Sequence, residues 1–308
     1  MRSPTGPTAR LRVVLDPEDL ADTSRSFQEL HSLEAGRVVC HPRPGIRSTV
    51  LLAEDLLFAL GKTRQACESL AMSDRWSAAE AWLVGEGIRH LVVLRSDRLP
   101  LNLWRAMARL RRSCHITVWM VVHRPRIPHH PSRRAIGLRR YCVADALDAI
   151  RRDPEPEVVP DAWPTRLEPA MSAKIRRLAS PREAAALAVL LATDLSPRDL
   201  LLLRCSSLTD DGRLRDVQTP WTIPQHARGL IRSHAEHAVR HGGSPTAYMF
   251  LRMGRGLTTG YSLWLMLRRA ERLAGLRGVA VAPVFGGEGG GAELTQDALA
   301  ATPSPSHH

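Results

Sequence analysis

Lysine is nearly missing from this sequence: Lys62 and Lys174 stand against 41 arginines. Positive charge is therefore carried by a guanidinium that stays protonated, which leaves few amines for general-acid or Schiff-base chemistry. The skew, with abundant alanine and glycine, is also what a GC-rich bacterial genome produces, so arginine count alone carries no function. Cysteine is scarce as well. Cys40, Cys67, Cys114, Cys142 and Cys205 form no CxxC pair, which excludes a disulfide framework and a zinc knuckle and fits a reducing cytoplasm. Aromatics make up 5%, so the core must rest on Leu, Ala and Val, and single-strand stacking platforms are not expected. No run reaches the ~18 apolar residues of a membrane span, and the N-terminus has no signal-like apolar core. The expectation is a soluble cytoplasmic protein without a membrane partner.

What is present is charge and length. The chain has 308 residues, 44% of them hydrophobic, and a net charge of +12 with a pI near 10.7. That is enough for two domains, and the charge favours an anionic partner, above all nucleic acid, through phosphate neutralisation. From Arg98 through Ala144 there are eleven arginines and no acid. Arg105, Arg109 and Arg112 recur at helical spacing and should share a face. Arg124, Arg126, Arg133 and Arg134 sit among Pro125, Pro128 and Pro131, which hold the chain extended. Arg139 and Arg140 follow. The alternative for this stretch is a solvated surface of unpaired charge. Without aromatic interleaving, contact with a duplex backbone is the expected mode.

Along the chain, residues 1–35 read as an N-terminal extension, with a short strand at Leu11–Leu15 and a helix opened by Pro17. Residues 36–150 alternate strand and helix signals, the pattern of an α/β layer domain. Gly36–His41, Ile88–Leu94 and His115–His123 are its strands. Ser48–Gly61 is a helix capped at Ser48 or Thr49 and stopped by Gly61. Residues 151–180 read as a Pro-rich linker. Ser180, Pro181 and Glu183 then look like cap, first position and third position of a new helix, opening a mainly helical α+β domain over residues 181–285. The Gly-rich and polar residues 286–308 read as a disordered tail.

Several tempting motifs read better as ordinary structure. Gly61-Lys62-Thr63 lacks the first glycine of a P-loop, because Leu56 stands there inside an apolar helix; Lys62 reads as a C-terminal helix charge. His234, His237 and His241 share a helical face, but neighbouring Arg232 and Arg240 disfavour a metal, and a solvated face is expected. The pairs His129-His130 and His115/His123 have no neighbouring acid in sequence, and Cys114 beside His115 is the one neighbouring cysteine. Asp210-Asp211-Gly212 reads as a β-turn. No metal and no cofactor are expected.

Two resemblances organise these readings. Ala184–Leu208, Thr219–His237 and Gly254–Leu276 resemble, in order and spacing, three segments of the tyrosine recombinase (phage-type integrase) catalytic domain. The resemblance implies helix, turn and helix, then strand and helix, then a long helix. Arg37–Arg124 is similar to the middle of AAA+ ATPases that accompany transposases, which makes residues 36–150 a degenerate P-loop/AAA-like domain. In both, the chemistry the family needs is missing. The first catalytic Arg would fall at Ser196, and Arg198 is displaced by about 200° around a helix. Leu276 is followed by no HxxR motif and no tyrosine; Tyr141, Tyr248 and Tyr261 all precede it. Arg213 and Arg215 stand where the catalytic lysine would lie, and a permanently protonated group is a poor general acid. The Walker B acids would fall at Arg95 and Ser96, and no glycine-rich loop precedes Gly36.

The resulting expectation is a catalytically silent DNA-binding or assembly protein tied to DNA integration or a mobile element. Its partners would be double-stranded DNA and an active recombinase or transposition ATPase. In the second domain the expected DNA contacts are Arg198, Arg204, Arg232, Arg268, Arg269 and Arg272. The alternatives are a divergent site-specific recombinase completed in trans and an Arg-rich protein-interaction module.

Overall fold

A computed structural model describes residues 11–123, 139–153, 167–193, 195–209, 212–214, 221–240, 248–250 and 260–276. Within them, five short strands form one parallel sheet: β1 (Leu11–Leu15), β2 (Arg37–Cys40), β3 (His90–Val93), β4 (Thr117–Val122) and β5 (Arg139–Tyr141), in the order β2-β3-β4-β1-β5. Every residue of β3 and β4 is buried. Such continuous apolar runs are what strands covered on both faces need. The α/β expectation for this half therefore holds. One boundary differs: the strand assigned to the N-terminal extension pairs with β4 from Leu11↔Val118 to Leu15↔Val122 and with β5, so it lies inside the sheet.

The helices cover both faces. Phe27 of α1 (Ala21–Gln28) and Ala146 and Ile150 of α6 (Val143–Arg151) pack with Val14, Val92, Trp119 and Val121 on one face. On the other, α2 (Thr49–Ala59), α4 (Arg75–Gly85) and α5 (Leu101–Cys114) bury Leu52, Leu56, Trp82, Leu83, Leu103 and Met107 against Val13, Val38, Leu91, Val93, Val118 and Met120. Crossovers of one hand put helices on opposite faces when the chain travels across the sheet in opposite directions. The β1-to-β2 connection runs against those from β2 to β3 and β3 to β4, and α1 is accordingly alone among them on its face.

Local caps follow the sequence signals. The Ser48 hydroxyl accepts from Leu51 N at 3.2 Å, and Gly61 ends α2 at φ +76. The helix expected from Pro17 starts later, at Ala21, because Asp19 adopts a left-handed backbone at φ +49 and breaks the run.

The C-terminal half is mainly helical: α8 (Pro181–Ala192), α9 (Pro197–Leu202), α10 (Gln225–Arg240) and α11 (Gly260–Ala274), with a two-stranded antiparallel ribbon of β6 (Arg213–Leu214) and β7 (Trp221–Thr222). Ser180 caps α8 through Glu183 N at 3.3 Å, as its sequence implies. Gly212, at φ +82, closes a turn in which its N–H donates to Thr209 O, while Asp210 and Asp211 lie outside the described residues. So do residues 286–308, expected as a tail.

The stretch expected as a linker is partly packed. Residues 169–175 form the short helix α7 (Pro169–Ile175), and Leu167, Ile175, Leu178 and Ala179 are buried; the other short helix, α3 (Arg64–Glu68), directly follows α2. The loop after α7 closes on the end of α2. Lys62, read from sequence as an exposed dipole charge, is 4% exposed. Its ammonium donates to Arg176 O at 2.6 Å and lies 3.0 Å from the centroid of the Trp82 ring, a desolvated cation–π contact. Trp82 Nε1 donates to Ala179 O at 2.8 Å, and Thr63 N to Arg177 O at 3.1 Å. Burial pulls the Lys62 pKa down to about 7, against partial support from Glu86.

A pH test follows. The unfolded chain binds the Lys62 proton more tightly than the folded one between pH 7 and the ordinary lysine pKa. Stability contributed through Lys62 therefore rises with pH across that window, at up to about 1.4 kcal/mol per pH unit. Lys62→Met should flatten the dependence of the urea midpoint on pH above 7. An unchanged slope would mean that the ammonium is not desolvated.

Candidate nucleic-acid interface

The sequence-predicted arginines fall into distinct environments. Arg105, Arg109 and Arg112 lie on α5 and are exposed, while Leu103, Trp104, Ala106, Met107 and Leu110 of the same helix are buried. The amphipathic spacing that drives the apolar face onto the sheet thus turns these arginines outward in one row. Among the described residues none of the three has an ion pair or hydrogen-bond partner. A rise of about 1.5 Å per residue puts about 10 Å between the first and the last, roughly three base-pair steps of a duplex. Arg140 is exposed on β5, at the edge of the sheet away from β2. Arg124, Arg126, Arg133 and Arg134, and the side chain of Arg139, lie outside the described residues.

In the second half the predicted residues differ in exposure and in partners. Arg198 and Arg272 are exposed and have no ionic partner among the described residues. Arg232 is exposed beside an open groove of about 570 Å³ that Cys205, Leu208 and Glu236 also line; a carboxylate next to the cation removes any single-sign field. The Arg204 guanidinium lies 5.5 Å from the ring centroid of Tyr248. Arg268 pairs with Glu271 at 3.4 Å. Arg269 pairs with Glu183, its Nε donating to Oε1 at 3.0 Å, while its side chain stays half exposed. Glu183, at the third position of α8, is 2% exposed and its carboxylate turns to this arginine. Burial raises its pKa, and Arg269 opposes the rise.

The histidine face of α10 is also corrected. His234 is buried rather than solvated; its Nε2–H donates to Met249 O, and its ring stacks on Phe250 at 5.2 Å. Burial lowers its pKa to about 3, so it is a neutral donor that ties α10 to residues 248–250. His237 Nε2 lies 3.3 Å from Ser77 Oγ at the start of α4. His241 lies outside the described residues.

In open parallel sheets, ligands settle beyond the carboxyl ends of the strands. Here that edge holds an internal network that sequence reasoning missed. Asp16 follows β1, Arg95 and Ser96 follow β3, and His123 follows β4. His123 Nδ1 lies 2.9 Å from Asp16 Oδ2 and 3.3 Å from Asp19 Oδ1. Arg95 pairs with Asp19 at 2.9 Å, which holds the Asp19 carboxyl below its usual pKa. Asp97 Oδ1 accepts from His123 N at 3.2 Å, and Ser96 Oγ donates to Val121 O at 2.8 Å. Arg95, at φ +50, aims its guanidinium at the β1 loop. Of the two positions where the resemblance would put Walker B acids, Arg95 thus braces the loop after β1 and Ser96 ties to β4, and that loop, Asp16-Pro17-Glu18-Asp19-Leu20, presents carboxylates where a phosphate cradle presents backbone N–H groups. The only sequence signal was Asp16 directly after an apolar strand. Among the described residues no group of three or more His, Cys, Asp or Glu has a metal-holding arrangement, and no helix is long and apolar enough to cross a membrane.

Ser196, where the recombinase resemblance would put the first arginine, is the N-cap of α9. Its hydroxyl accepts from Asp199 N at 3.3 Å while Asp199 accepts from Ser196 N at 2.9 Å. The serine closes a capping box, and Arg198, two residues on, points to solvent. No family model, no curated protein and no solved structure matches this chain.

Proposed function

We propose that this chain binds the backbone of duplex DNA and serves as a non-catalytic assembly protein in DNA integration or mobile-element movement. It acts in the cytoplasm, in keeping with five cysteines that form no disulfide. The observation that carries the reading is the row Arg105, Arg109 and Arg112: exposed, unpaired among the described residues, and set in a stretch of sequence without an acid. A guanidinium row with no internal carboxylate keeps its full charge for an external anion, and regular spacing along a helix suits a regular phosphate backbone. The resemblances to recombinases and transposition ATPases supply the biological setting. An active member of either class is the partner this setting implies. The lack of catalysis rests on Ser196 as a helix cap and on Arg95 as a loop brace, since neither can do the work of the group it would replace.

The test is a salt series with labelled random-sequence duplex. Affinity of the wild type should fall steeply with salt. The triple variant Arg105→Ala, Arg109→Ala, Arg112→Ala should show a log–log slope shallower by about 2.7, or about 0.9 per neutralised phosphate. Absence of binding at low salt, or an unchanged slope, overturns the proposal.

A further inference from the structure

Four large apolar side chains stand in solvent among the described residues of the second half: Val239 on α10 at 38% exposure, Leu202 on α9 at 63%, and Tyr261 and Leu265 on α11 at 62% and 47%. On α11, Tyr261, Leu265, Arg268 and Arg272 recur at spacings of four, three and four residues and so make one stripe. The opposite side of that helix, Leu263, Leu267, Ala270 and Ala274, is buried. Core formation therefore accounts for one face and leaves the Tyr261–Leu265 stripe unexplained. Trp264, half-buried, flanks it, with its ring stacked 6.1 Å from Tyr261 and the Arg268 guanidinium 5.9 Å from its centroid. On α9, which packs against α11, Arg198 and Leu202 are four residues apart and both exposed. An aromatic pair and leucines bordered by arginines is the composition of an interface centre, where Trp, Tyr and Arg carry most of the energy.

We infer that the exposed faces of α9 and α11 dock an acidic amphipathic segment of a partner protein. Charge selects the occupant. Arg198 and Arg272 have no carboxylate partner among the described residues, so a docked segment must bring its own acids. A second copy would set arginine stripe against arginine stripe on a chain that already carries a net charge of +12, and like charges across an interface are costly. A nucleic-acid backbone would satisfy the arginines and leave Leu202 and Leu265 in water. The inference goes beyond the DNA reading and stands apart from the α5 row, where no exposed leucine or aromatic intervenes between the arginines.

The probe is a fluorescein-labelled peptide of about 18 residues, with Leu at i, i+3, i+4 and i+7 and Glu elsewhere, titrated with the full chain at low salt. The peptide should bind. Affinity should fall by about tenfold or more with Leu202→Ser, Tyr261→Ser, Leu265→Ser combined, and similarly with Arg198→Glu, Arg272→Glu. A peptide with Lys in place of Glu should not bind. These positions are exposed, so melting temperatures should stay near wild type. The Ser variant should keep wild-type duplex affinity, and Arg105→Ala, Arg109→Ala, Arg112→Ala should keep wild-type peptide affinity, which separates this inference from the DNA reading. The inference is overturned by no peptide binding, by equal binding in both sets of variants, by loss of duplex affinity in the Ser variant, or by conversion of a wild-type dimer to monomer in it.

Discussion

Replacing Gly229 by alanine should destabilise the protein by about 3 kcal/mol, the upper end for overpacking a rigid contact, although alanine favours an isolated helix by about 1 kcal/mol over glycine. The opposed signs make the result diagnostic. Gly229 lies inside α10, and a Cβ built there meets Gly85 O at 2.8 Å. From the other side, a Cβ at Gly85, the last residue of α4, meets Gly229 O and Ser233 Cα at 2.7 Å each. A Cβ at Gly85 also meets Ser233 Oγ, but the backbone atoms on both sides of the crossing cannot give way. Ser233 adds to the fit by donating to Gly229 O at 2.7 Å. The α4–α10 contact joins the α/β half to the helical half, and α10 in turn packs on α8. Gly85→Ala should act in the same direction as Gly229→Ala. Urea unfolding followed by tryptophan fluorescence would report the loss, since Trp82 sits one turn before Gly85 in α4. A gain in stability for Gly229→Ala would mean that helix propensity outweighs the contact, and that the halves do not meet at these glycines.

This crossing also marks what the sequence could and could not show. Strands β2, β3 and β4 were legible because continuous apolar runs bounded by polar or glycine residues have few other uses. The α5 row was legible because three arginines at helical spacing opposite Leu and Met leave only one orientation. Asp16, Asp19, Arg95 and His123 were not, since 76 positions separate Arg95 from Asp19 and 107 separate His123 from Asp16. Side chains that distant meet only through strand order, and strand order in a parallel sheet is not written in local periodicity. Lys62 misled for a related reason: beside Gly61 it looks like a helix-end charge, and its burial depends on residues 176–179, more than a hundred positions on. Gly229 did leave a trace. An isolated glycine inside an otherwise helical pattern usually has a packing reason, but the sequence does not say which backbone comes close.

The Glu183–Arg269 pair illustrates the same difficulty with a larger consequence. Arg269 lies in a run of basic residues on α11 and reads as a phosphate contact, whereas its guanidinium compensates a carboxylate that is 2% exposed. Arg269→Ala should therefore cost about 3–5 kcal/mol of stability, the range for stranding one buried charge, and should leave the salt slope of duplex binding unchanged in molecules that remain folded. The pH dependence has a definite sign. Burial already holds the Glu183 pKa above its ordinary value, with Arg269 pulling it back. Removing the arginine raises it further, so the folded state takes up a proton more readily than the unfolded one. For a carboxyl with a raised folded pKa, stability is lost as pH rises through the window above the ordinary glutamate pKa. The deficit of Arg269→Ala should accordingly be largest at neutral pH and shrink on acidification. Glu183→Gln in the same background should recover part of the loss at neutral pH by removing the charge while keeping the volume. A wild-type melting temperature for Arg269→Ala, together with a shallower salt slope, would return Arg269 to the DNA surface and remove it from the core of the α8–α11 contact.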